Sequence, residues 1–248
     1  MAEHDTNALV EDLFKVGAHF GFSKSRRHAT MKSLVYGSKN RTDILDLTKT
    51  VPLLETALAF TRGLGAHSKT IIFVGSKPEM TDAVKEAAQS INMPYVASRW
   101  LGGTLTNFNE IKKRIKRMQE LIEERDSGAS AKKYTKKERV LIDREIARLE
   151  GNFIGLNTLT KLPDALVIVD TRHETIAVSE ADTLGIPAVG IMNSDCDLSA
   201  VPYPIVGNDA SQESITFFLN KVVEAYREGL KGHVAVPEAE EKTPVEKA

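Results

Sequence analysis

Gly75-Ser-Lys77 closes an apolar run and opens a helical pattern, which makes it the nearest thing in this chain to a phosphate cradle. The chemistry there would be backbone N–H groups and a lysine ammonium holding an anion at a helix N-terminus. The glycine spacing of a nucleotide loop is missing, and Gly102-Gly103 is a single pair that reads as a turn. Asp195, Asp197 and Asp209 lie near expected strand ends, where doubly wound folds gather their sites. Their oxygens would suit a hard cation, although Asp is also an ordinary loop residue. Cys196, the only cysteine, has no histidine near it in sequence, and no Cys-x-x-Cys or His-Glu-x-x-His spacing exists. His19 and His173 could act as bases only with partners that the sequence does not supply. We therefore expect no catalytic residue, no metal site, no cofactor and no small-molecule substrate. The alternative is a flavodoxin-like enzyme that takes a phosphorylated small molecule at Gly75 to Lys77.

The cations carry a stronger signal. The 248 residues sum to a net charge of −1, which by itself disfavours a polyanionic partner. Residues 22–41, however, hold Lys24, Arg26, Arg27, Lys32, Lys39 and Arg41 with no acid. Residues 112–148 carry a second excess of six positive charges, and residues 149–232 an excess of seven negative ones. Local charge, not the total, decides what a surface attracts. Lys112, Lys113, Arg114, Lys116 and Arg117 cover more than half of one helix circumference, too many for intrahelical pairing to absorb. Arg99 beside Trp100, the only tryptophan, offers a charge and a stacking face useful on RNA, or else a core anchor.

These residues need elements to place them. Apolar runs at 70–75, 94–97, 165–170, 187–192 and 204–207 read as short buried strands. Helical patterns at 50–66, 78–90, 174–184 and 210–230 alternate with them. That alternation predicts an α/β fold with a flavodoxin-like doubly wound parallel sheet. Residues 34–47 read as a small hairpin around Gly37 to Arg41. Residues 108–153 break the pattern. Ile111, Ile115, Met118 and Ile122, then Ile142, Ile146, Leu149 and Phe153, repeat at spacings of 4, 3 and 4. This is the seam of an inserted antiparallel coiled-coil hairpin, turning at Ser127 to Ser130. The expected organisation is an α/β domain over 1–107 and 154–232, the hairpin over 108–153, and a flexible tail over 233–248. No apolar run of membrane-spanning length and no signal peptide are read, and the lone cysteine fits a reducing, cytoplasmic setting.

Four blocks resemble the bacterial small-subunit ribosomal protein 2 family. They are Leu13 to Gly21, Arg99 to Asn107, Leu162 to Asp170 with Glu174, Glu180 and Gly185-Ile-Pro187, and Gly207-Asn-Asp209. Residues 25–30 and 193–204 depart from the family pattern, which keeps Met31 and Lys32. The resemblance implies a non-enzymatic structural component of the ribosome, on the solvent side of the small subunit near the head–body junction. It implies small-subunit ribosomal RNA and neighbouring ribosomal proteins as partners. In bacteria these would include the multi-OB-fold protein that recruits messenger RNA.

Overall fold

The computed structural model describes residues 2–127 and 133–232. The expected turn after Ser127 and the expected tail from 233 onward fall outside the described residues.

Five short strands form the main sheet: β4 (Ile71–Val74), β5 (Tyr95–Val96), β6 (Ala165–Val169), β7 (Ala188–Met192) and β8 (Tyr203–Val206). All pair in parallel, in the order β5-β4-β6-β7-β8, the flavodoxin-like arrangement. The strands are apolar throughout because both faces are covered. Alternation then sorts the side chains. Ile71, Phe73, Val167, Val169, Val189 and Ile191 point into a core with α2 (Leu47–Ala66), α3 (Pro78–Gln89) and α7 (Gln212–Gly232). Ile72, Val74, Leu166, Ile168 and Met192 point into the other core, which also takes Trp100 and α6 (Thr175–Thr183). α2 begins three residues before the expected start, because Asp46 caps it by accepting the Thr48 N–H at 3.2 Å. α2 and α7 cross at glycines: a Cβ on Gly229 would run into the Arg62 carbonyl, and one on Gly65 into that of Tyr226.

α4 (Phe108–Asp126) and α5 (Lys136–Phe153) bury Ile111, Ile115, Met118 and Leu121 on the first and Ile146, Leu149 and Phe153 on the second. Ile122 and Ile142 are half-buried against the same core. Thr135 and Glu138 cap α5 reciprocally.

The N-terminal region contains more structure than the sequence suggested. α1 (Ala2–Lys15) precedes β1 (Phe20–Ser23), which joins β2 (Val35–Lys39) and β3 (Thr42–Leu45) in a small antiparallel sheet ordered β1-β3-β2. The expected hairpin is therefore two-thirds of this sheet. Asn40 and Arg41 turn it, both with positive φ of 52° and 66°. The sheet sits over the ends of β7 and β8: His28 N–H donates to the Ser194 carbonyl at 2.8 Å, and Asn208 N–H to that of Ala18 at 3.0 Å.

Candidate nucleic-acid interface

The sheet order puts the topological switch between β4 and β6, where a doubly wound fold opens a ligand crevice. Gly75 to Lys77 lies on its rim, and the chain's own carboxylates occupy it. Glu174 Oε1 accepts the Ser76 N–H at 3.1 Å and also the Ser76 hydroxyl. The Lys77 ammonium pairs with Asp170 Oδ2. Asp170 Oδ1 in turn accepts the N–H groups of Arg172 and His173 at 3.1 and 3.0 Å. The Ser76 N–H and hydroxyl and the Lys77 ammonium, which would hold a phosphate, thus already hold internal carboxylates.

The three strand-end aspartates part company. Asp195 takes both Arg26 and Arg172, each at 3.0 Å. Asp197 caps the short 3-10 turn Leu198–Ala200 through the Ser199 N–H. Asp209 is fully buried, and its carboxylate, that of Asp170 and the Cys196 thiol offer ligand atoms all within 4.8 Å of one another. Burial first, then the nearby Asp170 charge, pushes the Asp209 carboxyl up to about 7. Burial likewise pushes the Cys196 thiol up to about 12, which removes it as a nucleophile near neutral pH. This cluster could surround one cation, and the Lys77 ammonium already stands against it.

The small sheet separates the six cations of 22–41 into two kinds. Arg27 reaches inward, with Nε 2.6 Å from Asp43 Oδ2 and Nη2 on Oδ1. Asp43 is fully buried and held below the usual carboxylate range, chiefly by that guanidinium. Arg27 is thus an internal brace, while Arg26 is exposed and engaged by Asp195. Lys24, Lys32, Lys39 and Arg41 are exposed, and none has a carboxylate within 4.0 Å among the described residues. Tyr36, between them on β2, is 82% exposed, a stacking face that the sequence reading missed.

Trp100 is 3% exposed, so it offers no face to a base; the structure makes it the anchor rather than the platform. Its indole N–H donates to Glu180 at 3.3 Å. The same carboxylate accepts N–H groups from Gly103 at 2.7 Å, Leu105 at 2.9 Å and Thr106 at 3.1 Å. Burial pushes Glu180 up, but these donors outweigh it and hold the group below its ordinary pKa. The run from Arg99 to Asn107 is thus wrapped around one glutamate from α6, and that fixes where α4 starts. Arg99 itself is exposed.

On α4 the basic cluster is partly occupied. Lys112 donates to the Thr160 carbonyl at 3.2 Å, Lys113 pairs with Glu110 at 2.6 Å, and Lys116 stands 3.9 Å from Glu120. Arg114 and Arg117 are exposed and, among the described residues, have no carboxylate within 4.0 Å. No helix among the described residues is long and apolar enough to cross a membrane.

Residues 13–229 match the family model described as ribosomal protein S2. A protein of Micrococcus luteus is 39% identical over 89% of this chain and 78% of its own length. One of Wolinella succinogenes is 39% identical over 96% of this chain and 89% of its own length. One of Kocuria rhizophila is 41% identical over 86% and 75% respectively. Each of the three is named small ribosomal subunit protein uS2.

Proposed function

The chain belongs to the ribosomal protein S2 family, and from that premise we propose how it serves as a structural, non-enzymatic constituent of the small ribosomal subunit. Its place is on the ribosome in the cytoplasm, among RNA and other ribosomal proteins. The main sheet is the scaffold. Lys24, Lys32, Lys39 and Arg41 meet phosphates of small-subunit RNA, with Arg99, Arg114 and Arg117 as further contacts near the second basic segment. Residues 108–153 act as one inserted hairpin arm on a domain formed by 1–107 and 154–232. The exposed acids of residues 149–232 face solvent or basic protein neighbours. In a bacterium the neighbours include the multi-OB-fold protein that recruits messenger RNA.

The observation that carries this reading is the set of four exposed cations on the small sheet without carboxylate partners. Such contacts orient a protein on RNA and read no sequence. The filled crevice leaves the small-molecule enzyme without support. Sedimentation tests the proposal. The full chain should travel with small subunits at low salt, and the variant with Lys24, Lys32, Lys39 and Arg41 all changed to Gln should dissociate at lower salt. A wild-type chain that stays at the top of the gradient would refute the function itself.

A further inference from the structure

A groove of about 680 Å³, to which Gly75 to Lys77 contribute nothing, runs along α6. Thr175, Val178, Ser179 and Asp182 line it, at spacings of 3, 1 and 3 that put them on one helix face. Arg26 and His28 line it from one neighbouring segment, and Asp195, Ser199 and Ala200 from another. These belong to residues 25–30 and 193–204, the two stretches that depart from the family pattern. The groove is thus built largely from what this chain does not share with its family.

Its two ends differ in charge. At the start of α6, Arg26 Nη2 and Arg172 Nη1 donate to the same oxygen of buried Asp195, each at 3.0 Å. Two exposed guanidiniums thus stand side by side against one carboxylate. Arg26 is also held over the Phe22 ring, 4.5 Å from its centre. Among the described residues nothing accepts from Nε or Nη1 of Arg26, or from Nε or Nη2 of Arg172. About 10 Å along the helix from Thr175, Asp182 is exposed, and among the described residues it has no cation within 4.0 Å. Past Val178 and Ala200 the groove continues into a cavity of about 420 Å³ walled by Ile186, Pro187, Val201 and Pro202.

We infer that this groove binds a nucleoside monophosphate, its phosphate held by Arg26 and Arg172. The unused edges of two guanidinium forks suit the oxygens of one phosphate, and they bring a second anion to a pair of cations that share one. The chain's own carboxylates fill the crevice at Gly75 to Lys77, but here they leave these donors free. The Thr175 and Ser179 hydroxyls and the Asp182 carboxylate follow along the helix, where they meet the hydroxyl and amino donors of a sugar and base. The apolar extension receives the flat ring. A lone inorganic anion would occupy only the arginine end of a space that has the size of an ordinary small-ligand site. This inference goes beyond the structural role on the ribosome and does not depend on it.

The test is calorimetric titration of the full chain, free of ribosomes, with the monophosphates of adenosine, guanosine, cytidine and uridine. At least one should bind saturably and one to one, with Kd below about 1 mM. The matching nucleoside, which lacks the phosphate, should bind about tenfold more weakly or worse. Arg172→Gln should weaken the nucleotide by about tenfold or more, while Arg26 keeps its hold on Asp195. Ser179→Trp changes an exposed helix position, so it blocks the groove without disturbing the core and should abolish binding. No saturable binding of any of the four overturns the inference, as does an affinity unchanged in both variants. So does a single-stranded RNA tetranucleotide that binds about 100-fold more tightly than the monomer and responds to the same two variants, because the groove would then be an RNA contact. Both variants should sediment with small subunits as the wild type does, so failure of the inference leaves the ribosomal role standing.

Discussion

Replacing Glu180 by Ala should unwrap the loop at the base of α4. Glu180 is 7% exposed, and its carboxylate accepts from three backbone N–H groups, the Trp100 indole and the Thr106 hydroxyl. Removing it leaves at least two buried donors without an acceptor, at Trp100 and Leu105. An orphaned buried donor costs about 1–3 kcal/mol, and lost packing around the side chain adds to that, so the total is about 4 kcal/mol. For a chain of this size that lowers the melting temperature by about 8–16 °C. Trp100 is the only tryptophan, so its emission reports on this site alone and should shift to the red as water reaches the indole. The pH dependence has a definite sign. The folded pKa of Glu180 lies below its unfolded value of about 4.3, so its contribution is present above that pH and is lost as pH falls through the folded value. The gap between wild type and Glu180→Ala should therefore narrow in acid. A variant within about 1 kcal/mol of wild type at pH 7, with unchanged tryptophan emission, would refute the account of this loop as a wrapper around one carboxylate.

Three further outcomes follow from buried charge and close backbone contact. Arg27→Ala leaves the fully buried Asp43 without its guanidinium and should cost about 3–5 kcal/mol in urea unfolding at pH 7, shrinking as pH falls through the depressed Asp43 pKa. A loss below 1 kcal/mol would return Arg27 to the RNA-facing set. Asp209→Asn should do the reverse: the folded pKa of about 7 exceeds the unfolded value of about 3.9, so wild-type stability drops as pH rises between them. The Asn variant should match wild type below pH 4 and exceed it by up to about 4 kcal/mol above pH 7; a difference in urea midpoint that ignores pH would count against the buried carboxyl. Gly229→Ala drives a Cβ into the Arg62 carbonyl and should cost about 1–3 kcal/mol of thermal stability, whereas an unaffected melting point would mean that α2 and α7 can part.

The main sheet was legible because its strands are short apolar runs closed by Gly, Asp or Pro, and both faces are covered. Ala165–Val169 could be little else. The small sheet was only half legible. β2 and β3 announce themselves through the Asn40-Arg41 turn, but β1 is only Phe-Gly-Phe-Ser, four residues of which none is buried. It becomes a strand because β3 and the Ser194 loop accept and donate its backbone hydrogen bonds. α1 was missed for a related reason: its first half is polar, and among the described side chains of the helix Leu9, Val10 and Leu13 face the core. The candidate interface divided along the same line. Sequence counts charges but not their partners, and the partners of Arg26 and Arg27 are Asp195, 169 residues away, and Asp43, across the hairpin. Lys24, Lys32, Lys39 and Arg41 are exposed, and among the described residues no carboxylate lies within 4.0 Å of their charged groups.

That division also explains how this architecture can serve as a scaffold. A doubly wound sheet leaves a crevice where its strand order reverses, lined with N–H groups and helix ends that attract anions. Left open, those donors would need water or a ligand. Here Glu174 satisfies Ser76, Asp170 satisfies Lys77 and the turn after β6, and Glu180 satisfies the loop after Trp100. The three carboxylates come from the stretch that follows β6, so one segment closes the crevice and anchors the base of α4. The same acids account for part of the negative excess in residues 149–232, the charge that hides two basic segments behind a net of −1. Much of that excess is thus internal. Asp170, Glu174, Glu180, Asp195 and Asp209 are all buried, so the surface the protein presents is more positive than its composition suggests.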